Sequence, residues 1–180
     1  MSSAIYFSRF LVTNQVFYKS KHSFALVNLK PLVPGHVLVV PLRTSVVCLA
    51  DLTKEENDDF FGTLQLIHRF IKFHFKADSL NIAIQDGPEA GQTVPHLHTH
   101  IIPRYHTNNV GDKIYEMLDG WTFESWTQRR QLYLESGGRE GRKHFAKPDD
   151  QRVECSQEHM ASETQLLRES LSQYLTDSDL

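Results

Sequence analysis

Three histidines at alternate positions, His96, His98 and His100, constrain this chain more than any other feature of its sequence. Successive side chains of a strand point to opposite faces, so this spacing puts three imidazoles on one face and Leu97, Thr99 and Ile101 on the other. A solvated strand face does not fit, because the same strand ends in the apolar pair Ile101-Ile102. The strand is predicted over 96–102 and is expected to stop at Pro103. The chain has ten histidines in all. Those met singly, His22, His68, His74, His106, His144 and His159, read as surface or edge residues.

The remaining pattern supplies partners for that strand. Residues 22–29 alternate, with Phe24, Leu26 and Asn28 on one face and Ala25, Val27 and Leu29 on the other. Both sets are apolar enough for a central strand. Pro34-Gly35 signals a turn, which releases a valine-rich strand over 36–40 closed by Pro41. Thr53 and Glu56 have the S/T-x-x-E spacing of a capping box. Behind it Phe60, Leu64, Ile67, Ile71 and Phe75 recur at helical spacing. A further alternating strand is predicted over 80–86, then a Gly/Pro loop over 86–92. Beyond Arg104 the chain turns polar, with local helix expected around 113–118 and 123–134 and mobility over 136–150. A last amphipathic helix is expected over 156–175, with Met160, Leu167, Leu171 and Tyr174 in register.

Composition removes several function classes. A net charge of −3 over 180 residues argues against a dedicated nucleic-acid binder. No apolar run approaches the ~20 residues of a membrane span. Cys48 and Cys155 lie far apart, with no metal-like spacing and no basis for a disulfide framework, which points to a reducing, intracellular home. The charge is unevenly spread. The first 50 residues hold Arg9, Lys19, Lys21, Lys30 and Arg43 and no carboxylate, which suits one wall of a polyanion site.

Two chemistries compete for the triplet. Neutral imidazole is a common zinc ligand, but three in line along a strand rarely converge on one tetrahedral ion. The other is covalent catalysis on phosphorus, with one imidazole as nucleophile. The loop upstream favours phosphorus. Gly87, Gly91 and the turn at Pro88 would let backbone N–H groups face an anion, and Gln92 and Thr93 add neutral donors. Asp86 and Glu89 lie in the same loop, so their side chains are expected to point away from the ligand. Arg104, just beyond the strand, reads as a solvated charge.

The run QDGPEAGQTVPHLHTHIIPR, 85–104, contains His-x-His-x-His-x-x and resembles the histidine triad superfamily of nucleotide hydrolases and transferases, the fragile histidine triad branch in particular. SFALVNLKPLVPGHVLVVPLR, 23–43, is similar to the N-terminal half of that branch, and DKIYEML, 112–118, to its segment after the triad. Other branches fit less well: the third position is His100 and not glutamine, and two distant cysteines cannot build an appended zinc finger. The resemblance implies an α+β fold, an antiparallel sheet of about five strands with a main helix and a C-terminal helix. It divides the chain into a core over 1–118, a polar extension over 119–150 and a C-terminal helix over 151–180 that packs on the core.

It also implies hydrolysis of diadenosine polyphosphates, typically the triphosphate, to AMP and ADP. Alternatives within enzymes are an asymmetric diadenosine tetraphosphate hydrolase or an adenosine phosphoramidase; outside them, a dinucleotide-binding signalling module. In this reading His98 attacks the α-phosphorus and His100 binds non-bridging oxygens. His36 and His96 orient and polarise the site. Gln92 meets the bridging or leaving oxygen; Asn28 and Gln85 take ribose and phosphate; Gly91, Thr93 and Val94 line the phosphate loop. The nucleophile needs its second nitrogen protonated and held by a backbone carbonyl nearby. Arg9 stands where a family histidine near the substrate aligns, and Tyr115 reads as a half-buried aromatic. Mg²⁺ or Mn²⁺ is expected on the polyphosphate and not in a protein cage, with a homodimer as the assembly. No nucleic-acid or membrane partner is expected. The location is cytoplasmic, with nuclear and mitochondrial pools left open.

Overall fold

The computed structural model describes residues 4–106 and 154–177. Seven strands and two helices follow in order: β1 (Tyr6–Phe7), β2 (Phe10–Leu11), β3 (Val16–Lys19), β4 (Ser23–Val27), β5 (Val37–Pro41), α1 (Lys54–His74), β6 (Ser79–Ile84), β7 (Thr99–Arg104) and α2 (Gln157–Asp177). Five strands form one antiparallel sheet in the order β3-β4-β5-β7-β6, and β1 and β2 form a separate hairpin. This is the α+β architecture expected. The segments at 113–118, 123–134 and 136–150, Tyr115, and the limits set at 118 and 150 lie outside the described residues.

The central strands are buried on both faces, and their alternation sorts them into two cores. Ala25, Val27, Val37, Val39 and Ile101 meet Phe60, Ile67, Phe70 and Ile71 of α1 and Met160, Leu167 and Leu171 of α2. Phe24, Leu26, Leu38 and Val40 face the other way, under Ile5, Val12 and Val16 of the N-terminal segment. Helix α1 starts as its capping box requires. Thr53 Oγ1 accepts from the Glu56 N–H at 3.2 Å, and Glu56 returns a carboxylate to the Thr53 N–H at 2.9 Å. Between β4 and β5 the chain reverses at 33–36, where the His36 N–H donates to the Val33 carbonyl at 3.1 Å. Pro34 takes the second position and Gly35 the third, at φ 80°, as a type II turn needs. A Cβ on Gly35 would also lie 2.7 Å from the Phe75 ring.

Two boundaries differ from the sequence reading. The predicted strand over 96–102 begins only at Thr99, because the His96 N–H turns back to the Val94 carbonyl and the Leu97 N–H donates to Val46 of a different loop. It also runs through Pro103 instead of stopping there. Strand β5 pairs with β7 only from Thr99 to Ile101, while Pro103 lies opposite Leu80 of β6. The missing N–H of Pro103 therefore falls beyond the reach of the β5 ladder.

Candidate active site

The face turned away from the helices carries the histidines. His100 pairs with Leu38 across β5–β7, so it shares Leu38's face, and His36 lies two residues before Leu38 on that face. Asn28 stands two residues after Leu26 at the end of β4 and reaches the same place. All four histidines of the sequence reading are buried here.

Hydrogen-bond partners set the proton on each ring. The Leu32 N–H donates to His36 Nδ1 at 3.1 Å. Nδ1 is therefore the acceptor, and in the neutral ring Nε2 carries the hydrogen. That hydrogen points to His100 Nδ1, 2.9 Å away. His100 Nδ1 is thus an acceptor in turn, and His100 Nε2 is left as an N–H donor. Asn28 braces this relay. Its Oδ1 accepts from the Lys30 N–H at 3.2 Å, which fixes the amide. Its Nδ2 lies 3.2 Å from His36 Nε2 and 3.5 Å from His36 Nδ1.

His98 carries the opposite tautomer. Its Nδ1–H donates to the His96 carbonyl at 2.7 Å, which leaves the lone pair on Nε2. The expected backbone carbonyl is therefore that of the residue two positions earlier. The ring is gripped edge-on from two sides, by His100 at 5.0 Å and 72° and by Phe7 of β1 at 5.2 Å and 77°. Burial lowers the His98 pKa, against the pull of the His96 carbonyl. His96 is held down to about 4, first by burial and then by the neighbouring His98, with the carbonyls of Pro41 and Arg43 acting the other way. Both rings are neutral at pH 7.

The phosphate loop departs from its sequence reading. Gly87 and Gly91 do adopt positive φ, 118° and 84°. However, the N–H groups of Ala90, Gly91 and Gln92 donate to the loop's own carbonyls at Gly87 and Pro88. A tight 3-10 turn over Pro88–Ala90 uses the donors that an anion would need. Thr93 and Val94 then carry the N–H groups with no acceptor among the described residues. The buried Gln92 donates from Nε2 to the Val47 carbonyl at 2.7 Å, so Oε1 is its opposite, accepting end. Asp86 turns away as expected and accepts from the Leu49 N–H at 2.9 Å.

Residues 10–107 match the HIT domain family. The chain belongs to that family. A curated bis(5'-adenosyl)-triphosphatase of Saccharomyces cerevisiae (strain ATCC 204508 / S288c) is 55% identical over 98% of this chain and 96% of its own length. A bis(5'-nucleosyl)-tetraphosphatase [asymmetrical] of Schizosaccharomyces pombe is 49% identical over 66% of this chain and 65% of its own. The crystal structure of the C. elegans NitFhit protein superposes with a TM-score of 0.66 at 30% identity, covering 94% of this chain and 31% of that one.

Within this HIT site the triplet makes a poor zinc donor set. Nδ1 accepts on His100, from His36, and on His96, from the Ser8 N–H, so Nε2 carries the hydrogen on both, and of the three rings only His98 presents an Nε2 lone pair. Among the described residues no group of three His, Cys, Asp or Glu could hold a metal. Gln85 follows β6 two residues after Ala83, the partner of His100, and so continues the histidine face. Arg9 is exposed at the tip of the β1–β2 hairpin, its guanidinium 5.2 Å from the Phe10 ring centre. Two cations of the acid-free stretch do not line the site freely, since Arg43 is forked onto Glu56 and Lys30 lies 3.7 Å from Glu154. Arg104 reaches Asn81 and is not simply solvated. The sequence reading missed Phe7 and Ser8. A hairpin of two-residue strands without an Asn-Gly turn gives no periodic signal to find them.

Proposed function

We propose that this chain is a dinucleoside polyphosphate hydrolase that cleaves diadenosine triphosphate to AMP and ADP through a nucleotidyl-histidine on His98. The observation that carries the proposal is the His98 tautomer, Nδ1–H on a carbonyl and the lone pair on Nε2. A neutral imidazole attacks without first losing a proton. Nε2 bonds to the α-phosphorus while the bond from that phosphorus to the bridging oxygen breaks, and ADP leaves with the oxygen and its electron pair. The ring, now bonded through Nε2 and still protonated at Nδ1, is cationic, and the His96 carbonyl meets that charge with a shortened, charge-assisted bond. Water then adds to phosphorus, the N–P bond breaks, and His98 returns neutral as the water proton passes to solvent.

His100 Nε2–H donates to a non-bridging oxygen, because His36 holds the His100 proton on that side. The Leu32 N–H and His36 set the tautomer; His96 holds the nucleophile through its carbonyl. Thr93 and Val94 supply backbone N–H groups to phosphate beside the turn at Gly91. Asn28 and Gln85 bind ribose and phosphate, and Gln92 faces the bridging oxygen. Positioned dipoles carry most of the acceleration, since phosphoryl-type transition states ask mainly for charge stabilisation. Mg²⁺ or Mn²⁺ enters on the polyphosphate and neutralises it.

The assembly is a homodimer. In support, the two sheet edges differ: Arg168 of α2 caps the β3 edge at the Val16 carbonyl, whereas β6 is an outer strand with Ile82 exposed among the described residues. The location is cytoplasmic. The Schizosaccharomyces pombe relative favours one second reading, asymmetric cleavage of the tetraphosphate. A rapid-quench assay over dinucleotides with three, four and five phosphates tests both. AMP and ADP formed fastest from the triphosphate supports the first reading; faster release of AMP and ATP from the tetraphosphate replaces it with the second.

A further inference from the structure

His96 behaves unlike the other two members of the triplet. It is 0% exposed, against 4% for His98 and 7% for His100. Its Nδ1 accepts the Ser8 N–H at 2.9 Å, a bond that spans 88 positions of sequence and ends on the turn of the β1–β2 hairpin. Ser8 holds φ 55°, a left-handed conformation that few serines adopt. That turn directs the Ser8 N–H at the ring and lays the Phe7 side chain against two histidines, 5.6 Å from the His96 ring and 5.2 Å from His98. The His98 ring is thereby clasped between Phe7 and His100, and its Nδ1 is tied to the His96 backbone.

We propose that His96 and the N-terminal hairpin form a clamp on the nucleophile. The His96 side chain anchors the hairpin at Ser8, and the anchored hairpin presses Phe7 on His98 so that Nε2 stays aimed. His96, Ser8 and Phe7 are then positioning residues, and the side chain of the first histidine never touches substrate. The proposal rests on His98 as nucleophile. It explains why a histidine serves at position 96: a neutral imidazole offers an unprotonated ring nitrogen to a backbone N–H inside an apolar enclosure.

The test uses the full chain with Ser8→Pro, which deletes the donor and, by locking φ at about −65°, the left-handed turn that aims it, Ser8→Gly, which keeps both, and Phe7→Leu, which leaves the anchor. Three readouts apply: amide hydrogen exchange over 6–11, the ¹⁵N shift of His96 Nδ1, and kcat separated from KM. Ser8→Pro should abolish protection of 6–11, move the His96 Nδ1 shift toward that of an unbonded acceptor, and cut kcat about 10- to 100-fold, with KM within about threefold, as expected when a reacting group is loosened. Ser8→Gly should restore all three readouts. Phe7→Leu should lower kcat with protection retained. A raised KM at wild-type kcat would overturn the clamp in favour of a substrate-binding wall, and so would a Ser8→Pro hairpin that stays protected. Mass analysis of the wild type after an alkaline quench, in which an N–P bond survives, separates the two readings. If no nucleotidyl adduct forms on His98, the hydrolase mechanism fails, while exchange and the ¹⁵N shift still report whether His96 anchors the hairpin.

Discussion

On the helix side of the sheet, Ala25, Val27, Val37, Val39 and Ile101 meet α1 and α2 through apolar atoms alone. On the opposite side the intervening residues start the same way, with Phe24, Leu26, Leu38 and Val40, and then give way at one end to Asn28, His36 and His100. The same strands build both faces, yet the faces obey different rules. Apolar contacts are non-directional, so the helix side needs only volume and shape. A buried imidazole needs a particular partner for each nitrogen, because an unmade bond costs about 1–3 kcal/mol. The histidine side is therefore wired by single backbone groups, the donor N–H groups of Leu32 and Ser8 and the accepting carbonyl of His96.

Removing the nucleophile should separate the two faces most sharply. His98→Ala is expected to lower kcat by about 10⁴-fold or more, since a lost nucleophile is not replaced by its neighbours. Nucleotide binding should persist. Steady-state turnover beside calorimetric nucleotide titration measures this, and wild-type turnover would remove His98 from the role.

The converse substitution is Phe70→Ala. Phe70 is 0% exposed and packs against Phe17 and Tyr174 across the helix face. The cavity should cost about 3–5 kcal/mol in urea unfolding. Turnover per folded molecule should stay near wild type, because the ring partners of Phe70 among the described residues, Phe17, His74 and Tyr174, lie off the histidine side.

The same division shows what the sequence could reveal. Elements set by local chemistry were legible: β4 from alternation, β5 from its valines after the Pro34-Gly35 turn, the start of α1 from Thr53 and Glu56, and α2 from Met160, Leu167 and Leu171. Phe70 was not picked out, because it lies one position off the file 60, 64, 67, 71 and 75 and is buried by the width of the helix contact. Features fixed by a partner far along the chain were not legible. The late start of β7 depends on Val46 drawing Leu97 away, and the loop's lost N–H groups depend on its own tight turn. Only His100 of the three lies in β7, yet the imidazoles cluster, Phe7 against His96 and His98 and His98 against His100, and their proton positions come from Leu32, Ser8 and a carbonyl, none of which sequence spacing identifies.

Acid should stress the histidine face before the helix face. His96 titrates near 4 in the folded chain against an ordinary 6.5, because burial disfavours its cation. Between those values the unfolded chain binds a proton that the folded chain refuses, so stability falls as pH falls. The loss should be about 3 kcal/mol from pH 6.5 to 4, with His98 adding in the same direction. Urea unfolding at half-unit intervals measures it. A flat profile over that window would show that these rings are not buried neutral.

The smallest effect lies off both faces, where Arg43 after β5 forks onto Glu56 in the first turn of α1 at 2.8 and 2.7 Å. Arg43 holds the Glu56 carboxyl down to about 2 from 4.5, with the Thr53 N–H assisting against burial. That stabilisation is full well above pH 4.5 and is lost as pH falls from there toward 2, overlapping only the acid end of the window in which His96 acts. Glu56→Gln keeps the capping geometry and removes the charge. It should cost about 1 kcal/mol at pH 7, because the Arg43 side chain is 42% exposed and solvent screens the pair. The slope between about pH 6.5 and 5.5, above the range in which Glu56 titrates in the unfolded chain, should match that of the wild type. A changed slope would mean that Arg43, released from Glu56, alters the field at His96 through the carbonyl it presents to that ring, and the two titrations would then be coupled.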